Sequence, residues 1–335
     1  MPEKYAISHV AGAMRPPQAA YDADVIILAL DRRDDTVAAI RSALTQTGVS
    51  RHVTILDQGS APENLAWLAT TVAGRADATL LRADRNLGVA EGRNRASAYG
   101  HGGMIAGLDN DAEFAEPDTL ARMVAALNEE PDLAAIGCRI LNHATGEDDA
   151  TSWGYPRGLL PRAGESFLAT TFVGAGHAIR RQAWDDAGGY DPELFFCWEE
   201  YDFCLRAIAR GWRVRYRGDL VIRHKIGSEQ RVTWTGRRWH QFVRNRLYIE
   251  RKYGASWWRL LPRIGGYIIK GARNGMVWQT PRAILAATRM DRRTFAAPLP
   301  ETARVYLRGN DSAHRGGLIQ RLRTDVLAAQ HRGTV

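Results

Sequence analysis

Two aspartates one residue apart, Asp109 and Asp111, follow a short apolar segment. The segment Met104–Leu108 has the length and composition of a buried strand, so both carboxylates would lie at its carboxyl end. In open α/β sheets, ligands bind at this edge. Two carboxylates with few other protein ligands suit Mg²⁺ or Mn²⁺, which keep water ligands and bind phosphate oxygens. Because Asp-x-Asp is also common in surface loops, the pair predicts a metal site only together with its surroundings.

A second acidic group, Glu199, Glu200 and Asp202, follows Trp198. Apolar residues at helical spacing predict a helix that begins near these acids and runs to Arg210, with Gly211 as its C-terminal stop. Acids in a first turn are favourable against the helix dipole whatever their function. Three acids beside aromatic residues exceed what a cap requires, and an apolar wall raises the pKa of a carboxylate towards that of a useful base. The group therefore predicts a general base.

Asp57 ends another short apolar segment and is followed by a turn that contains Ser60. Its carboxylate could accept the imide N–H of a uracil or thymine ring, or it could cap the next helix. His224 closes a further predicted strand, residues 220–223, and its imidazole could complete the coordination of an ion at the aspartate pair. A lone histidine is more often structural, so the residue type leaves both interpretations open.

Asn86 and Gly88 precede a predicted helix that carries Arg93 and Asn94. A helix N-terminus with a nearby glycine and arginine favours a diphosphate, because free backbone N–H groups and partial positive charge meet there. An ordinary Asn-x-Gly turn with solvated arginines explains the same residues without a ligand. The pattern is therefore compatible with a diphosphate site and is not specific for one.

Strands and helices alternate over the first third of the chain. Apolar runs at 25–30, 53–56, 79–81 and 104–108 predict strands, and helical spacing predicts helices at 35–47, 62–73 and 89–99. This alternation predicts the α/β class, with a mostly parallel central sheet flanked by helices. Residues 143–168 are rich in Gly, Pro and acids and are expected to form a long loop or hairpin.

Composition limits the functional classes. The 335 residues carry a net charge of +8, and the basic residues concentrate after about Arg206. Nucleic acid, an anionic membrane surface and phosphate-bearing substrates all suit such a charge, but no zinc-finger or RNA-binding signature is present, so no nucleic-acid partner is expected. No apolar run is long enough to span a membrane, and residues 1–22 lack the apolar core of a secretory signal. Three cysteines without framework spacing favour reduced thiols and a cytoplasmic location.

Taken in order, these motifs resemble those of the inverting nucleotide-sugar glycosyltransferases of family 2, which have the GT-A fold. The resemblance runs from about Val25 to Tyr253. Its motifs are Asp57-Gln58-Gly59-Ser60, Asn86-Leu87-Gly88, Leu108-Asp109-Asn110-Asp111, Phe172-Val173-Gly174-Ala175-Gly176, Gly188-Gly189-Tyr190-Asp191 and the acidic string from Trp198 to Arg206. The acidic string is most similar to that of the rhamnosyltransferase-like branch.

The resemblance implies a UDP- or dTDP-linked sugar donor, a hydroxyl acceptor and Mg²⁺ or Mn²⁺ as cofactor. It implies Glu200 as the base, with Glu199 as a rival and Asp202 in the same catalytic group. It implies a metal held by Asp109, Asp111 and His224. The donor-binding residues would be Asp57, Ser60, Asn86, Gly88, Arg93, Asn94, Asp109 and Asn110, and the acceptor would lie near Gly174 and Trp198. The acceptor could be a glycan, a lipid-linked glycan or a secondary metabolite.

The expected organisation is an N-terminal arm (1–22), a catalytic domain (23–253) and a helical C-terminal region (254–335). The catalytic domain would divide into a donor-binding half (23–115) and an acceptor-binding half (116–253). Residues 257–270 mix aromatic, apolar and basic side chains, which could contact an anionic membrane at the inner face of the plasma membrane, form a homodimer or pack on the catalytic domain. Pro262 and the pair Gly265-Gly266 are expected to interrupt a long helix, which favours packing. A last helix is expected over Gly317–Gln330.

Two other classes share part of this pattern. A nucleotidyltransferase would carry a Gly-rich loop after the first strand, where this chain has Asp31–Asp35 without a glycine. A sugar-nucleotide-binding protein without catalytic activity would keep the same fold and the same donor-side residues. The sequence therefore favours a glycosyltransferase over a nucleotidyltransferase and leaves the binding protein open.

Overall fold

The computed structural model describes residues 5–225, 234–290 and 298–316. Its strands are β1 (Ile7–Gly12), β2 (Ala23–Ala29), β3 (Arg51–Asp57), β4 (Ala78–Ala83), β5 (Met104–Leu108), β6 (Ala112–Phe114), β7 (Leu133–Asn142), β8 (Ser166–Ala169), β9 (Gly176–Arg180) and β10 (Arg213–His224). Its α-helices are α1 (Arg33–Leu44), α2 (Pro62–Val72), α3 (Gly88–Ser97), α4 (Thr119–Glu129), α5 (Arg181–Ala187), α6 (Glu199–Ala209), α7 (Gly236–Lys252), α8 (Trp257–Arg273), α9 (Gln279–Arg289) and α10 (Glu301–Asn310). The expected helix over Gly317–Gln330 lies outside the described residues.

The strands form one twisted layer in the order β1-β4-β3-β2-β5-β9-β7-β10-β6, and β8 pairs with β10. Within the described residues, β2, β3, β4, β5, β7 and β10 run in one direction and the other four strands run in the opposite direction. The prediction of a mostly parallel sheet flanked by helices is therefore confirmed. The six parallel strands all direct their carboxyl ends to one edge of the sheet, which we call the carboxyl edge.

Both faces of the sheet are covered by helices. Val25 and Ile27 of β2 face a core built with α1, α2 and α4, whereas Ile26 between them faces a second core built with α3, α5, α6 and α10. This alternation follows from the two-residue period of a strand, and it explains why the central strands are apolar at nearly every position. Pro62 is the first residue of α2, where its missing N–H costs no helical hydrogen bond.

Helices α7, α8 and α9 form a separate small core around Trp239, Val243 and Tyr267. The expected interruption of α8 is wrong, because the helix continues through Pro262 from Trp257 to Arg273. The carbonyl that loses its partner at Pro262 belongs to Trp258, whose side chain is largely exposed, so water can replace the missing hydrogen bond. None of the helices among the described residues has the length and hydropathy needed to cross a membrane.

Candidate active site

Asp109, Asp111 and His224 lie together at the carboxyl edge. Asp109 and Asp111 follow β5, and His224 is the last residue of β10. One potential ligand atom from each residue lies within 4.8 Å of the others, and His224 Nε2 lies 3.4 Å from Asp111 Oδ1. Two carboxylates and an imidazole form a donor set that suits Mn²⁺ or Mg²⁺. The three residues predicted to bind the metal are thus brought together by the fold.

The second ring nitrogen of His224 contacts a carboxylate that we did not single out from the sequence. Asp149 Oδ2 lies 3.3 Å from His224 Nδ1, and Asp149 also accepts hydrogen bonds from Thr151 and Ser152. A carboxylate behind a histidine is the usual outer partner of a metal-bound imidazole, because it fixes the ring and its tautomer. The only sequence signal was the acidic group Glu147–Asp149 in the predicted loop.

Charges in this group shift the pKa values of its members. Burial lowers the pKa of His224, but hydrogen bonds to Asp111 and Asp149 outweigh burial and raise it to about 10. Burial raises the pKa of Asp149, but its hydrogen bonds to His224, Ser152 and Thr151 bring it down to about 2. Asp111 also pairs with Arg32, which follows β2. Asp111 thus has His224 on one side and Arg32 on the other.

Arg93 of α3 connects the aspartate pair to the second acidic group. Its Nη2 donates to Asp109 Oδ1 at 2.7 Å and to the carbonyl oxygen of Gly174 at 2.8 Å. Its Nη1 lies 3.6 Å from Glu200 Oε1. Arg93 is only 3 % exposed, so these carboxylates compensate a buried charge. Glu200 and Asp109 therefore face the same guanidinium, and the two acidic groups belong to one site.

Glu199 and Glu200 begin α6, as predicted, but their surroundings differ. Burial raises the pKa of both carboxyls, while nearby Arg93 opposes the rise. Glu199 is only 2 % exposed, and its Oε2 has no hydrogen-bond partner among the described residues. Glu200 lies against Gly174, so a Cβ at residue 174 would overlap Glu200 Oε1. Glu200 is thus the glutamate whose carboxylate contacts both Arg93 and the Gly174 segment.

Left-handed backbone conformations border this site. Among the described residues, five non-glycine residues have positive φ angles: Asp31 and Arg32 after β2, and Phe195, Cys197 and Trp198 before α6. Such conformations cost roughly 1–3 kcal/mol each and persist only where the surrounding structure holds them. Here the turn at Asp31 and Arg32 places the Arg32 side chain against Asp111. The turn from Phe195 to Trp198 directs the first turn of α6 towards Arg93.

Helix α7 holds the strained segment before α6. The Asn245 side-chain amide donates to the carbonyl oxygens of Leu194, Phe196 and Cys197 at 2.6, 2.8 and 2.9 Å. The Trp198 indole N–H donates to the carbonyl oxygen of Phe242 at 2.9 Å. Asn245 is fully buried, so its amide is a fixed donor. The C-terminal helices therefore help to position Glu199 and Glu200.

Asp202, in the first turn of α6, is fully buried. Its carboxylate contacts Lys252 and Arg206 at 3.0 Å and the Tyr253 hydroxyl at 3.3 Å. Lys252 also contacts Asp191 at 2.7 Å. The pair between Asp202 and Lys252 joins α6 to the end of α7, so Asp202 helps to position α6.

The residues predicted to bind the donor line the same edge. Asp57 is fully buried at the end of β3, accepts hydrogen bonds from the backbone N–H groups of Gly59 and Ser60 at 3.2 Å, and lies 3.1 Å from Arg82. Asn86 accepts from the Gly88 N–H at 2.8 Å and is exposed. The other predicted donor-binding side chains are held by neighbouring elements. Asn94 donates to the carbonyl oxygen of Tyr190 and accepts from its N–H, and Asn110 donates to the Thr36 hydroxyl. The Ser60 hydroxyl accepts from the Asp31 N–H, and Gln58 Oε1 accepts from the Leu87 N–H.

Residues 24–188 match the family model described as Glycosyl transferase family 2. This chain carries a family 2 glycosyltransferase domain. The matched part of this transferase domain contains Asp57, Asp109 and Asp111. Glu200 and His224 lie beyond it, in the same sheet-and-helix body. The family that the sequence motifs suggested is thus confirmed.

Curated relatives of the glycosyltransferase domain are named for polysaccharide biosynthesis. The chain is 25 % identical over 226 residues to the O-antigen biosynthesis protein RfbC of Myxococcus xanthus, covering 62 % of this chain and 18 % of that protein. It is 36 % identical over 113 residues to the succinoglycan biosynthesis protein ExoO of Rhizobium meliloti (strain 1021), covering 33 % of this chain and 32 % of that protein. The chain thus spans less than a third of the length of both relatives.

Solved glycosyltransferase structures share the GT-A fold of this chain. The mannosyltransferase PcManGT from Pyrobaculum calidifontis, in complex with GDP-Man and Mn²⁺, aligns with a TM-score of 0.53 and 16 % identity, covering 94 % of this chain and 86 % of that one. GalNAc-T7 with UDP, GalNAc and Mn²⁺ aligns with a TM-score of 0.60 and 12 % identity, covering 94 % and 61 %. Both likenesses concern the fold.

Proposed function

We propose that this chain is an inverting glycosyltransferase that moves a sugar from a UDP- or dTDP-linked donor to a hydroxyl acceptor. The observation that carries the proposal is the position of Arg93, whose guanidinium contacts Asp109 at 2.7 Å and lies 3.6 Å from Glu200. A donor diphosphate at the aspartates and an acceptor at the glutamate would therefore share one cleft. The names of the relatives, O-antigen and succinoglycan biosynthesis, support a glycan or lipid-linked glycan as acceptor.

The donor would lie along the carboxyl edge. In this proposal Asp57 accepts the imide N–H of the nucleobase, and the N-terminus of α3 at Gly88 faces the diphosphate. Asp109, Asp111 and His224 would hold Mn²⁺ or Mg²⁺, and the Mn²⁺ in both structural neighbours supports this choice. The ion, when bound, would neutralise charge on the leaving diphosphate as a Lewis acid.

Glu200 would accept the proton of the acceptor hydroxyl. Burial raises the pKa of Glu200 towards the range of an effective base. The charge of Arg93 opposes this rise, because it stabilises the ionised carboxylate. Attack from the side opposite the diphosphate inverts the anomeric configuration. Glu199 is more deeply buried and stays the rival base. Asp202, predicted within the catalytic group, would act through the orientation of α6.

Nucleoside diphosphate release from a panel of nucleotide sugars, with Mn²⁺ or with chelator, tests the activity. Glu200→Gln should lower kcat about 10²–10⁴-fold, the usual worth of a general base, while donor affinity survives. Glu129→Gln, an exposed glutamate at the end of α4, is the matched control and should leave kcat unchanged. Donor binding without any release of diphosphate would identify a binding protein without catalytic activity.

Two measurements separate the finer points of the proposal. The anomeric configuration of the product, read from NMR coupling constants, should be opposite to that of the donor, and retention would refute direct displacement. If Glu199→Gln abolished turnover and Glu200→Gln did not, the base would be Glu199.

The free thiols of Cys138, Cys197 and Cys204 support a cytoplasmic location, where such thiols stay reduced.

A further inference from the structure

Helices α8 and α9 carry an exposed apolar surface, which we call the α8–α9 face. On α8, Trp258, Leu261, Ile268 and Ile269 recur on one side of the helix, while Leu260, Tyr267 and Gly271 on the other side are buried against α7 and α9. Under this name we include the exposed apolar residues of both helices and of the segment between them: Trp258, Leu261, Ile268 and Ile269 on α8, Val277 and Trp278 between the helices, and Leu285 on α9; the two indoles are 81 % and 75 % exposed. Exposed large apolar side chains elsewhere in the described residues are few and scattered.

The surroundings of this face are strongly basic. Residues 253–290, which follow α7, contain six Lys and Arg residues and no Asp or Glu. On α8, Arg259, Arg263, Lys270 and Arg273 lie between the exposed apolar side and the buried side. The apolar side of α8 is thus bordered by cations, of which Arg263 also pairs with Glu250 of α7 at 3.3 Å, and residues 253–290 contain no carboxylate that would repel an anionic partner.

We propose that the α8–α9 face docks on the surface of an anionic lipid bilayer, with α8 lying in the plane of the interface. Tryptophan prefers the interface between hydrocarbon and headgroups, and flanking Lys and Arg residues contact anionic headgroups. An amphipathic helix of this kind binds through its apolar side without crossing the bilayer. Two of the three alternatives weighed from the sequence, packing and membrane contact, thus concern different sides of α8.

The docking face is connected to the candidate active site through α7. Tyr267 of α8 packs against Phe242 of α7 with 6.0 Å between ring centroids, and the Phe242 carbonyl accepts the indole N–H of Trp198. Trp198 directly precedes Glu199 and Glu200. Docking would therefore hold the cleft near the bilayer, where the hydroxyl acceptor of the proposed transfer could be lipid-linked.

Vesicle flotation of the full chain tests the proposal. The protein should float with vesicles of phosphatidylcholine containing about one third phosphatidylglycerol, and it should stay in the dense fraction with phosphatidylcholine alone. The double variant Trp258→Ser/Trp278→Ser should lower the bound fraction at limiting lipid about tenfold. Trp67→Ser, at an exposed indole on α2, is the matched control and should float like the unmodified chain.

Three results would overturn the proposal: no flotation with anionic vesicles, equal flotation of the double variant, or loss of flotation in Trp67→Ser. A dimer in light scattering that the double variant dissociates, without vesicle binding, would show that a second copy covers the face. Diphosphate release without vesicles is measured in parallel, and the double variant should retain it, because neither tryptophan belongs to the cleft. Failure of docking and failure of the proposed activity are therefore distinguished.

Discussion

Gly174→Ala should impair catalysis without unfolding the protein. A methyl group on residue 174 would overlap Glu200 Oε1, whereas its next neighbour, Arg93 Nη1, would be in ordinary contact at 3.5 Å. Gly174 does not have a positive φ, so alanine fits the backbone. The atom that must give way is the end of a side chain, which can move at little cost to folding. The substitution thus displaces the proposed base and leaves the fold intact.

The size of the effect follows from this geometry. Ordinary contact with a Cβ begins at 3.4 Å, so the carboxylate must retreat by about 1 Å. A misplacement of this size in a reacting group costs roughly 10²-fold in rate, equivalent to about 2.7 kcal/mol in the activation free energy. Binding of the donor at the aspartates should change little, because those residues keep their positions. The expected signature is a lower kcat at nearly constant donor KM.

The assay is nucleoside diphosphate release at saturating donor and acceptor, together with thermal unfolding of each variant. Gly164→Ala is the matched control, because a Cβ there meets nothing nearer than 3.7 Å, and its kcat should equal that of the unmodified chain. A folded Gly174→Ala protein with kcat within about threefold of the original would refute the reasoning. Glu200 would then not be the base, or its position would not limit the rate.

Three further predictions follow from individual contacts. Asp149→Asn should weaken Mn²⁺ binding about 10–100-fold in calorimetry, because the carboxylate behind the proposed ligand histidine is lost, and an unchanged Kd would contradict this. The pH profile of kcat/KM should fall on its acid side at a pH above the ordinary glutamate pKa, because the raised pKa of Glu200 makes it protonate earlier as pH decreases; full activity down to about pH 4 would argue against it. Lys252→Met should lower the free energy of unfolding by about 3–5 kcal/mol in urea titrations, since Asp191 and Asp202 would lose their shared buried cation, and a change below about 1 kcal/mol would be inconsistent with the ion pairs.

The first half of the sheet was predictable because its signals are local. Each of β2, β3, β4 and β5 is an apolar run, and the helices between them have apolar residues at helical spacing. The rule that parallel strands bind ligands at their carboxyl ends then placed Asp57, Asp109 and Asp111 on one edge. The boundaries differ from the expected ones by a few residues.

The second half was harder to predict because its strands depend on tertiary contacts. The segment Leu133–Asn142 contains alanines that suit a helix as well as a strand, and its burial between β9 and β10 decides in favour of a strand. β1, in the segment expected to be an arm, is an edge strand held by β4. The contact between Arg93 and Glu200 joins distant parts of the chain, so no local pattern could have revealed it.

The left-handed residues beside the cleft have a consequence for protein engineering. Glycine adopts this conformation freely, so Cys197→Gly would relieve about 1 kcal/mol of backbone strain while loosening the turn that aims α6. A library selected for heat resistance alone would therefore accumulate glycine at such positions and lose turnover in the process. At these five strained sites, a substitution that raises the unfolding temperature is therefore expected to lower kcat.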